Sequence, residues 1–313
     1  MEPVEPFIVV SACLSGIKKR YDGKIVFNPL VNELKAFCKI GVICPETEIG
    51  LPVPRERTIL YKDQNSGKIR AIYLGTKEDI TEKIHHYYEE KKKEFGEVDG
   101  FILKAKSPSC SVSSTTKTYK DPEGKILAWY SKGLVGGKIL KDFSFLPVVD
   151  DVLLREKDKL EEFFIKIFTI RRFRNLKEQF SENKELNLFH EKIKYVLMSF
   201  SPNLLEFLEK EIKKGMGIEE YERYFFNICS KNLERGKVIN AVLHIFGKIS
   251  RKLKRGEKRY FLDLLEKYKT GKKSWRFILN ELERLFKKYK LFEDRYEIIF
   301  NLYPDRLREK FLK

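Results

Sequence analysis

The chain has 313 residues, of which 42% are hydrophobic, 35% charged and 13% aromatic. This composition excludes low-complexity disorder, and the length is sufficient for two domains with separate cores. The longest nearly apolar stretch, Phe7 to Leu14, is far too short to span a membrane, and no secretory signal is visible at the N-terminus. We therefore expect a cytoplasmic protein without membrane segments.

The positive charge is unevenly distributed along the chain. The formal net charge is +17, of which +4 lies in residues 1–150 and +13 in residues 151–313. An excess of this kind favours a polyanionic partner, most often nucleic acid. A Lys- and Glu-rich surface of a heat-adapted protein is the alternative explanation.

The first half alternates between predicted strands and helices. Short β-branched runs at 7–10, 42–43 and 100–103 predict core strands, and the segments 29–37 and 77–95 predict helices. Turn residues at 63–67 and 121–124 predict two β-hairpins. This order indicates an α/β domain over residues 1–150 with an open, mostly parallel, Rossmann-like sheet.

From about Asp151 the pattern becomes helical. Glycine and proline become scarce, and apolar residues recur at helical spacing, as at Leu188, Ile193, Val196 and Phe200. Pro202 is suited to the first turn of another helix. We predict an all-α domain over residues 151–313.

Three cysteines follow predicted core strands. Cys13, Cys44 and Cys110 each lie at or just beyond a strand end, and ligands of open α/β sheets gather outside these ends. Three thiolates without a nearby histidine suit zinc, copper(I) or an iron–sulfur cluster. Buried core positions are the alternative, and we prefer that interpretation for Cys38 and Cys229.

The segments around the three cysteines carry a family resemblance. SACLSGIKKRYDG (11–23), CPETEIGLPVPR (44–55) and LKAKSPSC (103–110) resemble the thiouracil desulfidase family in order and separation. The resemblance covers about the first 145 residues. It implies an oxygen-sensitive 4Fe–4S cluster held by Cys13, Cys44 and Cys110, with one iron free to bind the sulfur of a thiolated nucleobase.

The resemblance also implies hydrolytic, non-redox removal of sulfur, for which water needs a base within reach. Glu46 is the first candidate, with capping of the turn as its alternative role. Ser107 and Ser109 are candidates for hydrogen bonds to the base or cluster, or belong to an ordinary turn. Asp22 is expected either to orient substrate or to stabilise its turn. Contacts with the base or phosphate, or else exposed salt bridges, are expected for three cations: Lys104, Arg20 and Arg55.

The helical half resembles an uncharacterised domain that is often fused to this desulfidase domain. The resemblance rests on FHEKIKYVLMSFSP (189–202), NAVLHIFGKIS (240–250) and NLYPDRL (301–307). The fused proteins are similar to tRNA 4-thiouridine desulfidases. The resemblance therefore implies tRNA as partner and 4-thiouridine as substrate.

Basic clusters in the second half are candidates for neutralising tRNA phosphates. They comprise Arg171, Arg172 and Arg174 around Phe173, a group containing Lys252, Arg255 and Arg259, and Lys272–Lys273 beside Trp275 and Arg276. Each has a solvated helix face as its alternative. For His190 and His244 we expect core or inter-helix hydrogen bonds in preference to tRNA contacts.

Three functions remain open at this stage. The first is an iron–sulfur tRNA 4-thiouridine desulfidase. The second is desulfidation of free 2-thiouracil or related thiobases, with the helical domain serving stability or oligomerisation. The third is a non-catalytic RNA-binding protein with a structural or sensing cluster.

Overall fold

A computed structural model describes residues 4–312. The chain divides into two compact units, Met1–Phe163 and Phe164–Lys313. The first unit contains α/β structure and the second is helical, which confirms the predicted fold class.

The first unit contains a four-stranded parallel sheet. Its strands are β1 (Phe7–Ser11), β2 (Lys39–Ile43), β6 (Gly100–Leu103) and β9 (Val148–Asp150), in the spatial order β2-β1-β6-β9. Helices α1 (Pro29–Leu34), α2 (Pro45–Glu48), α3 (Thr81–Lys92) and α4 (Leu134–Asp142) belong to the same unit. The three strands that precede the three cysteines are β2, β1 and β6. Because they are parallel neighbours, their carboxyl ends lie side by side at one edge of the sheet.

A second sheet of five strands contains both predicted hairpins. Its strands are β3 (Thr58–Lys62), β4 (Ile69–Tyr73), β5 (Glu78–Asp79), β7 (Thr116–Tyr119) and β8 (Leu127–Ser131), in the order β5-β4-β3-β7-β8. The hairpins pair antiparallel, and β3 and β7 join them by parallel pairing. The sequence predicted the two hairpins but not that they form one sheet, because parallel pairing between distant strands has no local sequence signal. Residues 77–95 were predicted as one helix, but Glu78–Asp79 forms a strand and α3 starts at Thr81.

The second unit is formed by helices. The division between the units falls within α5 (Lys157–Gln179). The helices that follow are α6 (Asn183–Phe200), α7 (Pro202–Ile212), α8 (Ile218–Cys229), α9 (Arg235–Ser250), α10 (Arg255–Lys269), α11 (Trp275–Lys288), α12 (Glu297–Phe300) and α13 (Asp305–Phe311). Pro202 is the first residue of α7, as predicted. None of the described helices has both the length and the apolar content needed to cross a membrane.

Candidate active site

Three thiols line one cavity at the carboxyl edge of the parallel sheet. Cys13 lies in a 3-10 turn after β1, Cys44 directly follows β2, and Cys110 lies in the loop after β6. The cavity has a volume of about 500 Å³ and all three cysteines contribute to its wall. The strand order therefore brings together residues that are almost 100 positions apart in the sequence.

The loop that carries Cys110 is fixed by the first turn of α4. The backbone N–H groups of Val135 and Gly136 donate to the carbonyl of Ser109 at 2.9 and 3.0 Å, and that of Gly133 donates to Ser111 at 2.8 Å. A Cβ atom on Gly136 would lie 2.3 Å from the carbonyl oxygen of Cys110, so only glycine allows this approach. The loop satisfies N–H groups of α4 that have no partner within the helix.

Cys44 is held by its own short helix. The carboxylate of Glu48 accepts from the backbone N–H of Cys44 at 2.9 Å, and the hydroxyl of Thr47 donates to the Cys44 carbonyl at 3.3 Å. The Cys44 thiol donates to the carbonyl of Lys19 at 3.7 Å. These contacts fix the segment that starts at Cys44 relative to the loop after β1.

Burial disfavours the thiolate form of two of the three cysteines. It raises the pKa of Cys13 to about 11, with a smaller contribution from the nearby Cys44, and it also raises the pKa of Cys110. Metal ligation requires thiolates, so loading of this site must displace these protons.

The donor set on the cavity wall consists of three thiols. Three thiols without a histidine on the cavity wall are suited to soft metals and iron–sulfur clusters. Within residues 4–312, no three His, Cys, Asp or Glu side chains meet closely enough to hold one metal ion. A cluster has several metal atoms, so its cysteines would surround a volume instead of converging on one point, and all three thiols line the same cavity.

Among the residues that the structure describes, Glu46 is the one carboxylate on the cavity wall, and its side chain has two polar partners. The Nε atom of Arg55 donates to its Oε2 atom at 3.0 Å, and the side chains of Arg55 and Glu46 are only 3% and 10% exposed. The hydroxyl of Ser109 donates to the Oε1 atom at 3.0 Å. A continuous hydrogen-bonded chain therefore runs from Ser109, the residue before Cys110, through Glu46 to Arg55. The ion pair of Arg55 is buried and is not the exposed salt bridge considered in the sequence analysis.

Lys104 and Ser107 also lie on the cavity wall. The Lys104 ammonium pairs with Asp151 at 2.7 Å, and the other Asp151 oxygen accepts from the N–H of Ala105 at 2.8 Å. The hydroxyl of Ser107 accepts from the backbone N–H of Cys110 at 3.1 Å. Ser107 thus stabilises the loop that carries Cys110. The ammonium group of Lys104, fixed by its ion pair with Asp151, provides a positive charge at the cavity wall.

Comparison with known proteins identifies the first unit. Residues 8–151 match the family model described as 2-thiouracil desulfurase. The first unit is a 2-thiouracil desulfurase domain. Residues 194–304 match a second family model, described as a protein of unknown function, DUF1722. The fused arrangement expected from the sequence is confirmed.

One solved structure is similar to the desulfurase domain. It is titled as a [4Fe-4S]-dependent thiouracil desulfidase, TudS, and is 23% identical with a TM-score of 0.38. The match covers 49% of this chain and 95% of that protein. No curated protein matches.

Asp22 does not belong to the wall of the desulfurase cavity. Its carboxylate accepts from the N–H of Lys24 at 3.1 Å and pairs with Arg20 at 2.9 Å. Of its two predicted roles, these contacts correspond to stabilising the turn. Arg20 itself reaches the cavity wall.

Two of the three arginines in the basic run after the desulfurase domain are buried. Arg171 and Arg172 are each only 9% exposed, and Arg172 donates to the carbonyls of Leu302 and Asn301 at 2.8 and 2.6 Å. Arg174 lies over the ring of Phe226 at 5.9 Å. Alternating charge and aromatic character in the sequence suggested a surface, but α5 is buried on most sides at this point. The prediction was wrong for Arg171 and Arg172.

The second basic group lies at the surface. Lys252, Arg255 and Arg259 are exposed, and none of them forms an ion pair with another residue in the range 4–312. Trp275 and Arg276, by contrast, are 0% and 4% exposed. Arg276 donates to the carbonyl of Phe300 and so helps to hold the C-terminal segment. The prediction that these two residues contact RNA was wrong.

The remaining histidines and cysteines lie outside the desulfurase cavity. His190 is buried and its Nδ1 atom lies 3.1 Å from the hydroxyl of Tyr221, so the predicted inter-helix hydrogen bond is confirmed. His244 is exposed, contrary to prediction. Cys38 and Cys229 are buried, as predicted.

Sequence reasoning missed several supports of the site. These are Glu48, which holds Cys44, Asp151, which holds Lys104, and the close approach of Gly133 and Gly136 to the Cys110 loop. The run Gly133-Leu134-Val135-Gly136-Gly137 was a visible signal, because closely spaced glycines at the start of a helix indicate close backbone approach.

Proposed function

We propose that Cys13, Cys44 and Cys110 hold a 4Fe–4S cluster and that the cavity removes sulfur from thiolated uracil rings. The observation that carries this proposal is the convergence of three thiols, and of no histidine, on one cavity of a 2-thiouracil desulfurase domain. The overall reaction exchanges the sulfur for the oxygen of water and releases hydrogen sulfide. Carbon keeps its oxidation state, so no electron donor is required.

The bound cluster would supply a Lewis-acidic iron without a protein ligand, with affinity for soft sulfur. The chain itself provides the groups that orient water and accept its proton. Ser109 lies beside Cys110, and its hydroxyl already donates to Glu46 Oε1. A water that donates to Ser109 Oγ can therefore pass a proton through this hydroxyl to Glu46, which acts as the general base.

Two cations prepare the cavity for this step. Arg55 neutralises the carboxylate of Glu46 and fixes its orientation. Lys104, anchored by Asp151 at the cavity wall, would stabilise the negative charge that develops on the thiocarbonyl group during attack. Ser107 holds the Cys110 backbone in place.

We further propose that the physiological substrate is 4-thiouridine within tRNA. Support comes from the surface around Lys252, Arg255 and Arg259 in the helical unit. Seven lysines and arginines lie within residues 248–259, and the single acid among them, Glu257, is already bonded to Lys288 and Tyr289. Such an excess of unpaired cations is suited to a phosphate backbone.

Desulfidation of free 2-thiouracil is the second candidate. It is favoured by the description of the matching family and by the burial of Arg171 and Arg172, which removes one of the expected tRNA contacts. A free base has no phosphate and needs only the cavity. The non-catalytic alternative predicts RNA binding without sulfide release.

The decisive experiment measures sulfide release under anaerobic conditions. Full-length reconstituted protein is incubated with 4-thiouridine-containing tRNA and, separately, with free 2-thiouracil. Release from tRNA alone supports the tRNA assignment, and release from the free base alone supports the second candidate. Binding of tRNA without any release supports the non-catalytic function.

The cluster assignment has its own test. Cys13→Ala should lose most of the iron and acid-labile sulfide per chain, whereas Cys38→Ala, which removes a buried thiol outside the cavity, should retain both. Equal metal content in the two variants would contradict the proposed ligands.

A further inference from the structure

The cavity extends beyond the cysteines onto one face of the second sheet. Tyr130 of β8 and Lys117 of β7 are direct cross-strand partners, and both line the cavity. On the opposite face, Leu60 and Thr118 are also cross-strand partners and are fully buried. At Leu60 and Thr118 the sheet packs one face into the core, and at Lys117 and Tyr130 it presents the other face to the cavity.

This open face carries an exposed aromatic side chain. Tyr130 is 51% exposed, although a tyrosine normally buries much of its ring. Tyr119 and Ile59 line the cavity on the neighbouring strands. Aromatic and apolar side chains of the second sheet therefore line the same cavity as the cysteines.

The charges around the cavity are strongly one-sided. Within the described part of the chain, seven lysines and arginines line it, against the single carboxylate of Glu46, which is already paired. Arg20, Arg55 and Lys104 have ion-pair partners. The other four form no ion pair with any residue in the described range: Lys19, Arg57, Lys106 and Lys117.

Neither feature is needed for a free thiobase. A thiolated uracil is a single uncharged pyrimidine ring, whereas a cavity of about 500 Å³ falls in the range that encloses much larger ligands. The cysteines, Glu46 and Ser109 occupy one part of the wall. The second sheet provides aromatic surface and unpaired cations in another part, a combination that is typical of single-stranded nucleic-acid binding.

We propose that the open face of β7 and β8 is a subsite for the nucleotide joined to the thiolated nucleotide through a phosphodiester. Tyr130 stacks on the neighbouring base, and Lys117 and Arg57 neutralise the linking phosphate. The subsite rests on the proposed desulfidase function and makes the N-terminal unit itself selective for an RNA strand over a free base.

Binding of unmodified RNA tests the subsite independently of catalysis. The probes are the trinucleotide UpUpU and the nucleoside uridine, titrated by calorimetry into the full-length, cluster-loaded protein. We expect UpUpU to bind more tightly than uridine. Tyr130→Ala should weaken binding of UpUpU at least about fivefold, the lower end of what one stacked base contributes.

Neighbouring residues provide matched controls. Trp129→Ala removes an exposed aromatic residue of the same strand that does not line the cavity, and Lys120→Ala removes an exposed cation outside it. Both should bind UpUpU like the wild type. Lys117→Ala should reduce the slope of log affinity against log salt by about 0.7, the value for one phosphate contact on a single strand, and Lys120→Ala should not.

The outcomes separate the subsite from the proposed function. Selective loss of UpUpU binding in Tyr130→Ala and Lys117→Ala supports the subsite. The inference is overturned if wild-type protein binds UpUpU no better than uridine, or if the two variants lose both probes equally. Absence of sulfide release from every thiolated substrate would defeat the proposed function, while these binding data would still decide on the subsite.

Discussion

Arg55 and Glu46 form a buried ion pair in the wall of the cysteine cavity. They lie nine positions apart, on opposite sides of the turn that follows α2, and the guanidinium also donates to the carbonyls of Lys19 and Pro52 at 3.3 and 3.2 Å. One side chain thus connects the loop after β1 to the segment after Cys44. The same arginine orients the proposed general base and stabilises the cavity wall.

Replacement of Arg55 should strongly destabilise the chain. Arg55→Met leaves the carboxylate of Glu46 buried without its counter-ion, so we expect the free energy of unfolding to fall by about 3–5 kcal/mol. Arg57→Met, two residues later at an exposed position, should change it by less than about 0.5 kcal/mol. Chemical denaturation of the full chain measures both. Similar stability of the two variants would show that the pair contributes little.

Glu46→Gln should separate catalysis from cluster binding. The amide keeps the shape of the side chain but cannot accept the proton of water, so sulfide release should fall by about 10²–10⁴-fold while iron content per chain stays at the wild-type level. Glu56→Gln changes an exposed carboxylate outside the cavity and should retain full activity. Wild-type turnover in Glu46→Gln would exclude this residue as the base.

Two adjacent glycines of α4 should respond in opposite ways to alanine. In Gly136→Ala the new Cβ would lie 2.3 Å from the carbonyl oxygen of Cys110, so the cysteine loop must move, and we expect a loss of about 1–3 kcal/mol in stability together with lower iron content. In Gly137→Ala the new Cβ would lie 3.7 Å from the Cβ atom of Lys132, and the higher helix propensity of alanine should stabilise the chain by up to about 1 kcal/mol. Denaturation and iron analysis test both, and an equal response would contradict the close approach.

The sequence predicted the parts of this structure that have local signals. Hydrophobic period and turn residues located the hairpins around 63–67 and 121–124 and the change to helices after the desulfurase domain. Cysteines that follow strands pointed to one edge of a sheet, and the order β2-β1-β6 places them there. The roles proposed for Glu46, Ser109 and the three cysteines remain predictions.

The errors arose where burial depends on tertiary packing. Arg171 and Arg172 have the local pattern of an exposed basic helix. The guanidinium of Arg172 nevertheless donates to the backbone carbonyls of residues 301 and 302, which are 129 and 130 positions away in the sequence. No local pattern reports such a partner. His244 shows the reverse error, because its apolar neighbours Val242 and Ile245 point to the core while the histidine itself lies on the exposed face of α9.

Cys229 should make stability depend on pH in the alkaline range. Burial raises the pKa of this thiol from 9.0 to about 12. Between these values the unfolded chain has lost the proton and the folded chain retains it, so stability falls as pH rises. The stability difference between wild type and Cys229→Ala should therefore shrink by about 1.4 kcal/mol for each pH unit between about 9 and 12. Denaturation at successive pH values measures this, and a constant difference would contradict the raised pKa.

Lys252, Arg255 and Arg259 should contribute to tRNA affinity because their charges are unpaired. Replacing all three by alanine should weaken tRNA binding and reduce the slope of log affinity against log salt by about 2.7, if each contacts one phosphate of a duplex region. The matched control replaces Lys210, Lys214 and Lys267, which belong to the same unit but pair with Glu206, Glu211 and Asp263. Both triple variants lose the same net charge, so a general field effect would weaken binding equally. A larger loss of tRNA affinity in the first variant, with unchanged turnover of 2-thiouracil, would assign tRNA contacts to Lys252, Arg255 and Arg259. Equal losses of affinity in the two variants would exclude these three residues from the proposed tRNA site.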